Sequence, residues 1–407
     1  MDDRWGGMPP PSKRILLADQ DEALLATLVT AGPLRSGDWE VLTAGSSEDA
    51  LSLLEMMPFA VVIAGTRMSG LSGLDLLRTA MIRHPCMARI ILLDQPDPEL
   101  MLGALGTAHQ YLVKPCDPCD LVSAVGRLAA LDQFFTNQPL RRVVSRIQQL
   151  PSPPTVYFRL MRELARLDAT AESVGAIIAQ DASLTAKLLQ LVNSAFFGLG
   201  RRVASVPEAV QILGFNLVKG MSVSFSLFAS LDPVAVGELN TDRLYLHSLA
   251  TGLLAQTIVA GEIGDSALSA SAFTAGILHD SGKLVLATAL PELYAQAVRL
   301  AADELIPQWQ AEANVFGVSH AEVGAYLLGL WGLPVPIVEA VAWHHQPLRS
   351  RPTAFGVLTA VHIADFLESR HVPCSRRPLV VELDELYVQT LGLTDRIDDW
   401  AAVAGRL

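Results

Sequence analysis

The chain of 407 residues has only four cysteines, at 86, 116, 119 and 374. Four scattered thiols exclude a disulfide framework, and the one CxxC, Cys116 and Cys119, has no second pair to complete a zinc site. Its place at the expected start of a helix leaves two readings open, a redox or metal role and a plain loop-and-cap role. Basic charge is also scarce. Thirty Lys and Arg against 42 Asp and Glu leave a net charge of −12, which opposes the phosphate neutralisation on which nucleic-acid affinity rests. Arg141-Arg142 and Arg201-Arg202 are local basic spots, and neither extends into a run. No apolar run reaches the roughly 18 residues of a membrane span; even LATGLLAQTIVA, residues 249–260, is interrupted by Gly, Thr and Gln. The first ten residues, MDDRWGGMPP, carry two acids and no apolar centre of a secretory signal. The expectation is a cytoplasmic protein without a membrane partner.

What is present is core material. Apolar residues make up 51% and charged residues 18%, so the chain has enough to bury and little to spend on disordered tails. Its length exceeds what one core holds, which implies two or three domains. After a flexible stretch at 1–12, residues 13–131 alternate short β-type runs with helical patterns. The runs are KRILLAD, WEVLTAG, FAVVIAG, ARIILLD and QYLVKP, each followed by a helical segment. Five such units imply a doubly wound α/β domain, a five-stranded parallel sheet with helices on both faces. Ligands of such sheets lie at the carboxyl ends of the strands.

RILLADQD, RMSGLSGLDLL and YLVKP together resemble the receiver domain of bacterial response regulators, whose flavodoxin-like fold has this order and length. The resemblance implies acids after the first strand that hold Mg²⁺, a phosphoacceptor Asp ending the third strand, a Ser or Thr after the fourth and a Lys ending the fifth. Asp19 and Asp21 stand at the acidic end of the first strand, with Gln20 where a second adjacent acid is normal. The acceptor position falls on Gly65, Asp94 takes the hydroxyl position, and Lys114 matches. Glycine has no carboxylate from which to form an acyl phosphate, so this is a pseudo-receiver. Docking or dimerisation, sensing of another ligand at the strand ends, and plain support of its neighbour remain open as its role. Phosphorylation of Asp94 or a nearby acid is a further alternative.

Residues 132–149 form a helical connector, interrupted at Pro139 and ended by LPSPPTV, whose prolines forbid continuation of a helix. It either carries a rotation between domains or pairs with its copy in a homodimer. From 150 to 370 helical periodicity is nearly unbroken and period-two runs are absent, so the second domain is all-α. Asp181 and Ser183 are N-cap candidates before LTAKLLQLV; Ser205, Pro207 and Gly214 punctuate SVPEAVQILG. Asn193-Ser194 either bridges helices or lines a pocket, and Trp331 and Trp343 read as core anchors. Residues 371–407 form an acidic, amphipathic helical extension that either closes the bundle or mediates self-association.

The words LPSPP, IIAQDASLTAKLLQLVNSAFFG, SVPEAVQILG, AGILHDSGKLVL and SHAEVGAYLLGLWGLPVPIVEAVAWHHQP, in that order, resemble the HDOD family, the HD-related output domain. This implies a regulatory output in the superfamily of HD metal phosphohydrolases, generally without their activity, placed here behind a receiver-like domain. The residue inventory nevertheless leaves two readings open, a metal site, or histidines that only satisfy buried hydrogen bonds with HHQP terminating a helix before Pro347. His247, His279, Asp280 and Asp365 match a first HD-type ligand set, and His320, His344 and His345 a second. Such mixed sets suit Fe, Mn or Zn. Lys283 is the candidate to neutralise a phosphoryl oxygen. Arg243, one turn before His247, stands where some relatives carry an acid. HHQPLRSRPTAFG lacks the Gly-Tyr-Pro signature of the cyclic-di-GMP-hydrolysing branch, and that branch has no equivalent of helices 155–230. Two functions follow: a non-catalytic phosphorelay or signalling regulator whose HDOD domain binds a protein or nucleotide, or a metal-dependent phosphohydrolase of nucleotides or cyclic dinucleotides.

Overall fold

The computed structural model describes residues 14–30, 39–84, 87–94, 107–115, 155–193, 202–229, 239–350, 354–371 and 381–405. Single positions at 109, 165, 167 and 332 are omitted from these ranges, and Leu199 and a few positions between 121 and 144 are added. The N-terminal stretch, most of the connector, all four cysteines and the helices expected after the fourth and fifth strands lie outside the described residues. The chain divides into two compact units, with a boundary between Ser152 and Pro153.

In the first unit five strands form one parallel sheet: β1 (Arg14–Ala18), β2 (Glu40–Ala44), β3 (Val61–Gly65), β4 (Ala88–Leu93) and β5 (Gln110–Val113). Their order is β2-β1-β3-β4-β5. Every residue of β3 and β4 is buried, the mark of strands covered on both faces. Helices Ser47–Met56 and Gly73–Arg83 begin at Ser46 and Ser72, whose hydroxyls accept the N–H of Asp49 and Asp75. The order reverses between β1 and β3, and a crevice forms outside their carboxyl ends at such a point. Asp19 follows β1 there and Gly65 ends β3.

Among the described residues the second unit is entirely helical. Asp181 caps the helix Ala182–Val192 by accepting the N–H of Leu184, and Ser183 lies inside it. Helix Val206–Leu213 starts after Ser205, holds Pro207 in its first turn and ends at Gly214 with φ of 77°. Asn193 is a bridge: its amide donates to Leu189 O and Val203 O, and its carbonyl accepts from Val203 N. Trp331 and Trp343 are both buried.

Two close approaches decide where this unit places its polar side chains. Helices Thr241–Glu262 and Ser266–Leu278 meet backbone to backbone; a Cβ on Gly276 would lie 2.6 Å from Gly252 Cα. Helix Ser281–Ala289 lies as tightly on helix His320–Leu330, since a Cβ on Gly282 would be 2.0 Å from His320 O. The first of these helices, Thr241–Glu262, is the one described helix long and apolar enough to cross a membrane, and 56% of its apolar window is buried inside the protein. The C-terminal helices Glu385–Thr390 and Ile397–Ala404 pack back on the unit, with the Tyr387 hydroxyl on Thr359 and Trp400 Nε1 on Glu262.

Candidate metal centre and receiver pocket

The His-Asp doublet spans the break between two helices. His279 is the C-cap of Ser266–Leu278 and Asp280 the N-cap of Ser281–Ala289, so the chain turns between them and both side chains face the same interior. His344 and His345 likewise follow the end of helix Val335–Trp343. HHQP ends that helix, and the same turn delivers two imidazoles. Around the doublet stand His247 from Thr241–Glu262, His320 from His320–Leu330 and Asp365 from Val357–His371.

All seven expected ligands meet. Three overlapping groups, Asp280/His320/His344/His345, His247/His279/Asp280 and His279/His344/Asp365, each have their ligand atoms within 4.8 Å of one another. Asp280 reaches both halves. Its Oδ2 lies 3.5 Å from His279 Nε2 and 3.8 Å from His247 Nε2, and its Oδ1 lies 3.0 Å from His320 Nε2. Asp365 Oδ1 is 3.1 Å from His247 Nε2.

Sequence reasoning missed the groups behind these ligands. His279 Nδ1–H donates to Gly276 O at 2.6 Å and His344 Nδ1–H to Val341 O at 2.8 Å. His320 Nδ1–H donates to Glu312 Oε2 at 2.6 Å, and His247 Nδ1 is bonded to Glu368. Each outer partner holds the ring proton on Nδ1 and turns Nε2 inward, the arrangement that orients metal-binding histidines. Glu368 was discoverable, being one helical turn beyond Asp365; Glu312, eight residues before His320, gives no local signal.

The inward nitrogens have few partners of their own. His344 Nε2 is buried without a hydrogen bond, and Asp280 Oδ1 is close to His320 without the alignment of one. His247 Nε2 faces His279 Nε2 at 3.2 Å, and His345 Nε2 faces His320 Nε2 at 3.1 Å. Nitrogen facing nitrogen at this range needs a proton on one of the two or a metal ion between or beside them.

Protonation follows the same logic. Burial, then neighbouring imidazoles, hold His344 and His345 well below the usual histidine range, and burial lowers His279. Burial would raise Asp280 and Asp365, but their cationic surroundings outweigh it and both sit well below the carboxylate range. For His247 burial is outweighed by hydrogen bonds to Asp365 and Glu368, which push it up to about 10; His320 is raised mainly by Glu312 against the same burial cost. In the absence of ions, protons on these two rings balance the carboxylates. Ionised carboxylates beside neutral imidazoles are what a divalent ion requires, and the cluster is compatible with one.

Access is narrow. His279 and Asp280 are 1% exposed, whereas His247, Lys283 and His345 keep 15–18% at the rim. Trp309 stacks on His345 with the ring centres 6.0 Å apart. Lys283 Nζ bonds Asp280 Oδ2 at 2.7 Å.

The receiver pocket is filled from within. Asp19 is fully buried and Lys114 Nζ bridges it to Asp94, at 2.6 and 2.9 Å. Asp94 also accepts from Thr66 Oγ1 at 2.9 Å and lies 3.3 Å from Arg67. A Cβ on Gly65 would sit 2.0 Å from Asp19 Oδ2; the carboxylate of Asp19 occupies the room a side chain at 65 needs. Asp21 turns away to cap the helix Glu22–Thr30, accepting the N–H of Leu24.

Comparison with known proteins agrees with both units. The response regulator receiver domain matches residues 15–126 and the HDOD domain residues 150–347. An uncharacterized protein of Treponema pallidum is 30% identical over 214 residues, 53% of this chain and 41% of its own length. The alginate biosynthesis transcriptional regulatory protein AlgB of Pseudomonas aeruginosa is 32% identical over 131 residues, 32% of this chain and 28% of its own. The chain therefore spans less than half the length of either relative. The crystal structure of an HDOD domain protein of unknown function from Geobacter sulfurreducens is 26% identical with a TM-score of 0.49, covering 65% of this chain and 96% of that one. A receiver domain implies signalling proteins as partners. The chain thus carries a response regulator receiver domain followed by an HDOD domain, the domain content of a signal-transduction regulator.

Proposed function

We propose that the output of this regulator is a divalent metal centre in its helical domain, acting on a phosphodiester of the nucleotide or cyclic-dinucleotide class. His247, His279, Asp280 and Asp365 would form one half, and His320, His344 and His345 the other. The observation that carries this reading is the buried Nε2 of His344, which has no partner and lies beside the imidazoles of His279 and His320, each of which, like His344, is held through Nδ1 by an outer acceptor. Bound Fe, Mn or Zn would supply Lewis acidity toward a phosphoryl oxygen and acidify water near neutral pH.

The chain's own residues do the rest. Glu312 and Glu368 orient His320 and His247. Asp280 offers one oxygen to each half. Lys283 places a positive charge at the rim, where an anionic ligand would enter. The buried walls exclude bulk water, which strengthens each of these interactions.

A second reading is binding of a protein or nucleotide without turnover. It is favoured by the close Lys283–Asp280 pair, which ties up the shared carboxylate, and by the narrow rim. In either case the receiver-like domain works without an acyl phosphate at the end of β3, through docking to a partner or to a second copy.

The test is metal content by plasma mass spectrometry on protein purified without chelator, beside hydrolysis of cyclic-di-GMP and of a generic phosphodiester under reduced Mn²⁺ and Fe²⁺. Roughly one or two ions per chain, with turnover lost in Asp280→Ala, is the expected result. Ions without turnover select the second reading. No ions on the wild type would sink the metal centre.

A further inference from the structure

Thr359, His362, Asp365 and Glu368 stand at three-residue steps along the helix Val357–His371, so that each neighbours the next in a stripe that winds round the helix. Their partners change along that stripe. Thr359 Oγ1 and the Tyr387 hydroxyl are 2.6 Å apart. His362 accepts the backbone N–H of Asp384 on Nε2 at 3.0 Å and donates Nδ1–H to the carbonyl of His344 at 2.6 Å. Asp365 and Glu368 both engage His247. The stripe begins on the C-terminal segment and ends in the metal cluster, and His362 touches both.

The two bonds of His362 depend on each other. An imidazole that accepts on Nε2 must carry its proton on Nδ1, so the N–H of Asp384 selects the tautomer that can hold His344. The held carbonyl belongs to the cap residue of helix Val335–Trp343, and its peptide leads directly into His345. Holding it sets the turn from which both imidazoles project. His362 is 2% exposed, and water does not replace either partner.

The segment itself is well anchored. Asp384 Oδ1 accepts the N–H of Tyr387 at 2.9 Å, and Tyr387 is buried. Further on, Arg396 and Trp400 bond Glu262, on the helix that bears His247.

We infer that His362 is a positioning residue through which the C-terminal segment Asp384–Tyr387 sets the geometry of His344 and His345, so that docking of this segment tunes the affinity of the centre for a divalent ion. The inference rests on the metal reading above. All of its parts except His344 and His345 lie beyond residue 347, where the HDOD match ends.

The test uses the full chain with Co²⁺ as probe, read by chelator competition and by the visible absorption of the bound ion. In His362→Gln the introduced amide reaches the place of Nε2, keeps the Asp384 contact and loses the hold on His344. In His362→Asn the amide nitrogen takes the place of Nδ1, which keeps His344 and releases Asp384. Asp384→Pro removes the N–H at a φ of −75° that proline adopts, and Asp384→Ala, which keeps the N–H, is its control.

Co²⁺ affinity is expected to fall about tenfold or more in His362→Gln, and in Asp384→Pro relative to Asp384→Ala, in line with other outer ligand-orienting residues. The absorption band should shift in both. His362→Asn should stay near wild type in affinity while amide exchange at residues 384–388 quickens. If His362→Gln and Asp384→Pro bind Co²⁺ within about twofold of their references with the band unchanged, the positioning role is overturned. If Asp384→Pro does not fold, the two His362 variants decide. A wild type that takes up no Co²⁺ overturns the metal reading and this inference together.

Discussion

Lys114 shows how one missing side chain reorders a site. With glycine at 65 the carboxylate of buried Asp19 occupies the space a side chain there would need, and the ammonium of Lys114 bonds both Asp19 and Asp94. Burial alone would raise Asp94, but hydrogen bonds from Lys114 and Thr66 outweigh it and lower its pKa; Lys114 is raised by its two carboxylates against burial. A lowered acid contributes stability above its unfolded pKa, about 3.9, and loses it as pH falls through the lower folded value. A raised lysine contributes fully below about 10.4 and loses it as pH rises through the higher folded value. Urea midpoints against pH should therefore fall on the acid side in the wild type and fall less in Asp94→Asn; equal slopes would show that the clasp adds nothing. In the helical domain, His344→Ala should cut bound metal by at least about tenfold with the helical circular dichroism kept, since it removes a direct ligand. The seven candidate ligands that the resemblance to HD-type sets singles out in the sequence are side chains that the fold brings together. Glu312 and His362 escaped, since their roles arise from contacts across the fold.

Glycine at helix crossings governs the site at the next scale. Gly282 lets Ser281–Ala289 rest on the backbone of His320, and Gly276 lets Ser266–Leu278 rest on Gly252. The first contact sets Asp280 against His320, and the second sets His279 against His247. Gly282→Ala should lower stability by about 1–3 kcal/mol, as overpacked cores do, and should reduce metal content as well. Gly261→Ala, on the same kind of helix but with nothing within 4 Å of the added Cβ, should be neutral or stabilise by a few tenths of a kcal/mol, roughly as helix propensity dictates. Calorimetry and metal analysis on the pair check this; matching losses in both variants would dismiss the crossing argument. Strand runs and helix punctuation were legible in the text: all five β runs became strands, and Asp181, Ser205, Pro207 and Gly214 took their expected places. Ser183 did not, because Asp181 had already started that helix. The chain breaks between His279 and Asp280; an unbroken helix would point neighbouring residues about 100° apart, away from a common ion.

For the whole molecule, two expectations concern ligands. An ion that binds only the folded helical domain should raise its unfolding free energy by about 2.7 kcal/mol at a hundredfold excess over Kd, visible as a rise in Tm with Mn²⁺ that chelator reverses and Asp280→Ala abolishes. Acetyl phosphate should leave the intact mass of the chain unchanged; a gain of one phosphoryl group would instead mark Asp94 or a nearby acid as an acceptor. The sequence by itself determined the two kinds of domain, because periods of 2.0 and 3.6 and the prolines near 150 are written in it, and it determined which residue types are available for a metal. It also determined that β3 ends without an acceptor, since a glycine has no side chain to phosphorylate. Only the tertiary structure decided that Asp19 fills that gap, that seven side chains from six helices share one interior, and that the C-terminal segment reaches His344 through His362. Those facts depend on backbone approach and ring orientation between segments up to 121 residues apart, as in the His247–Glu368 bond, and no local pattern records such distances.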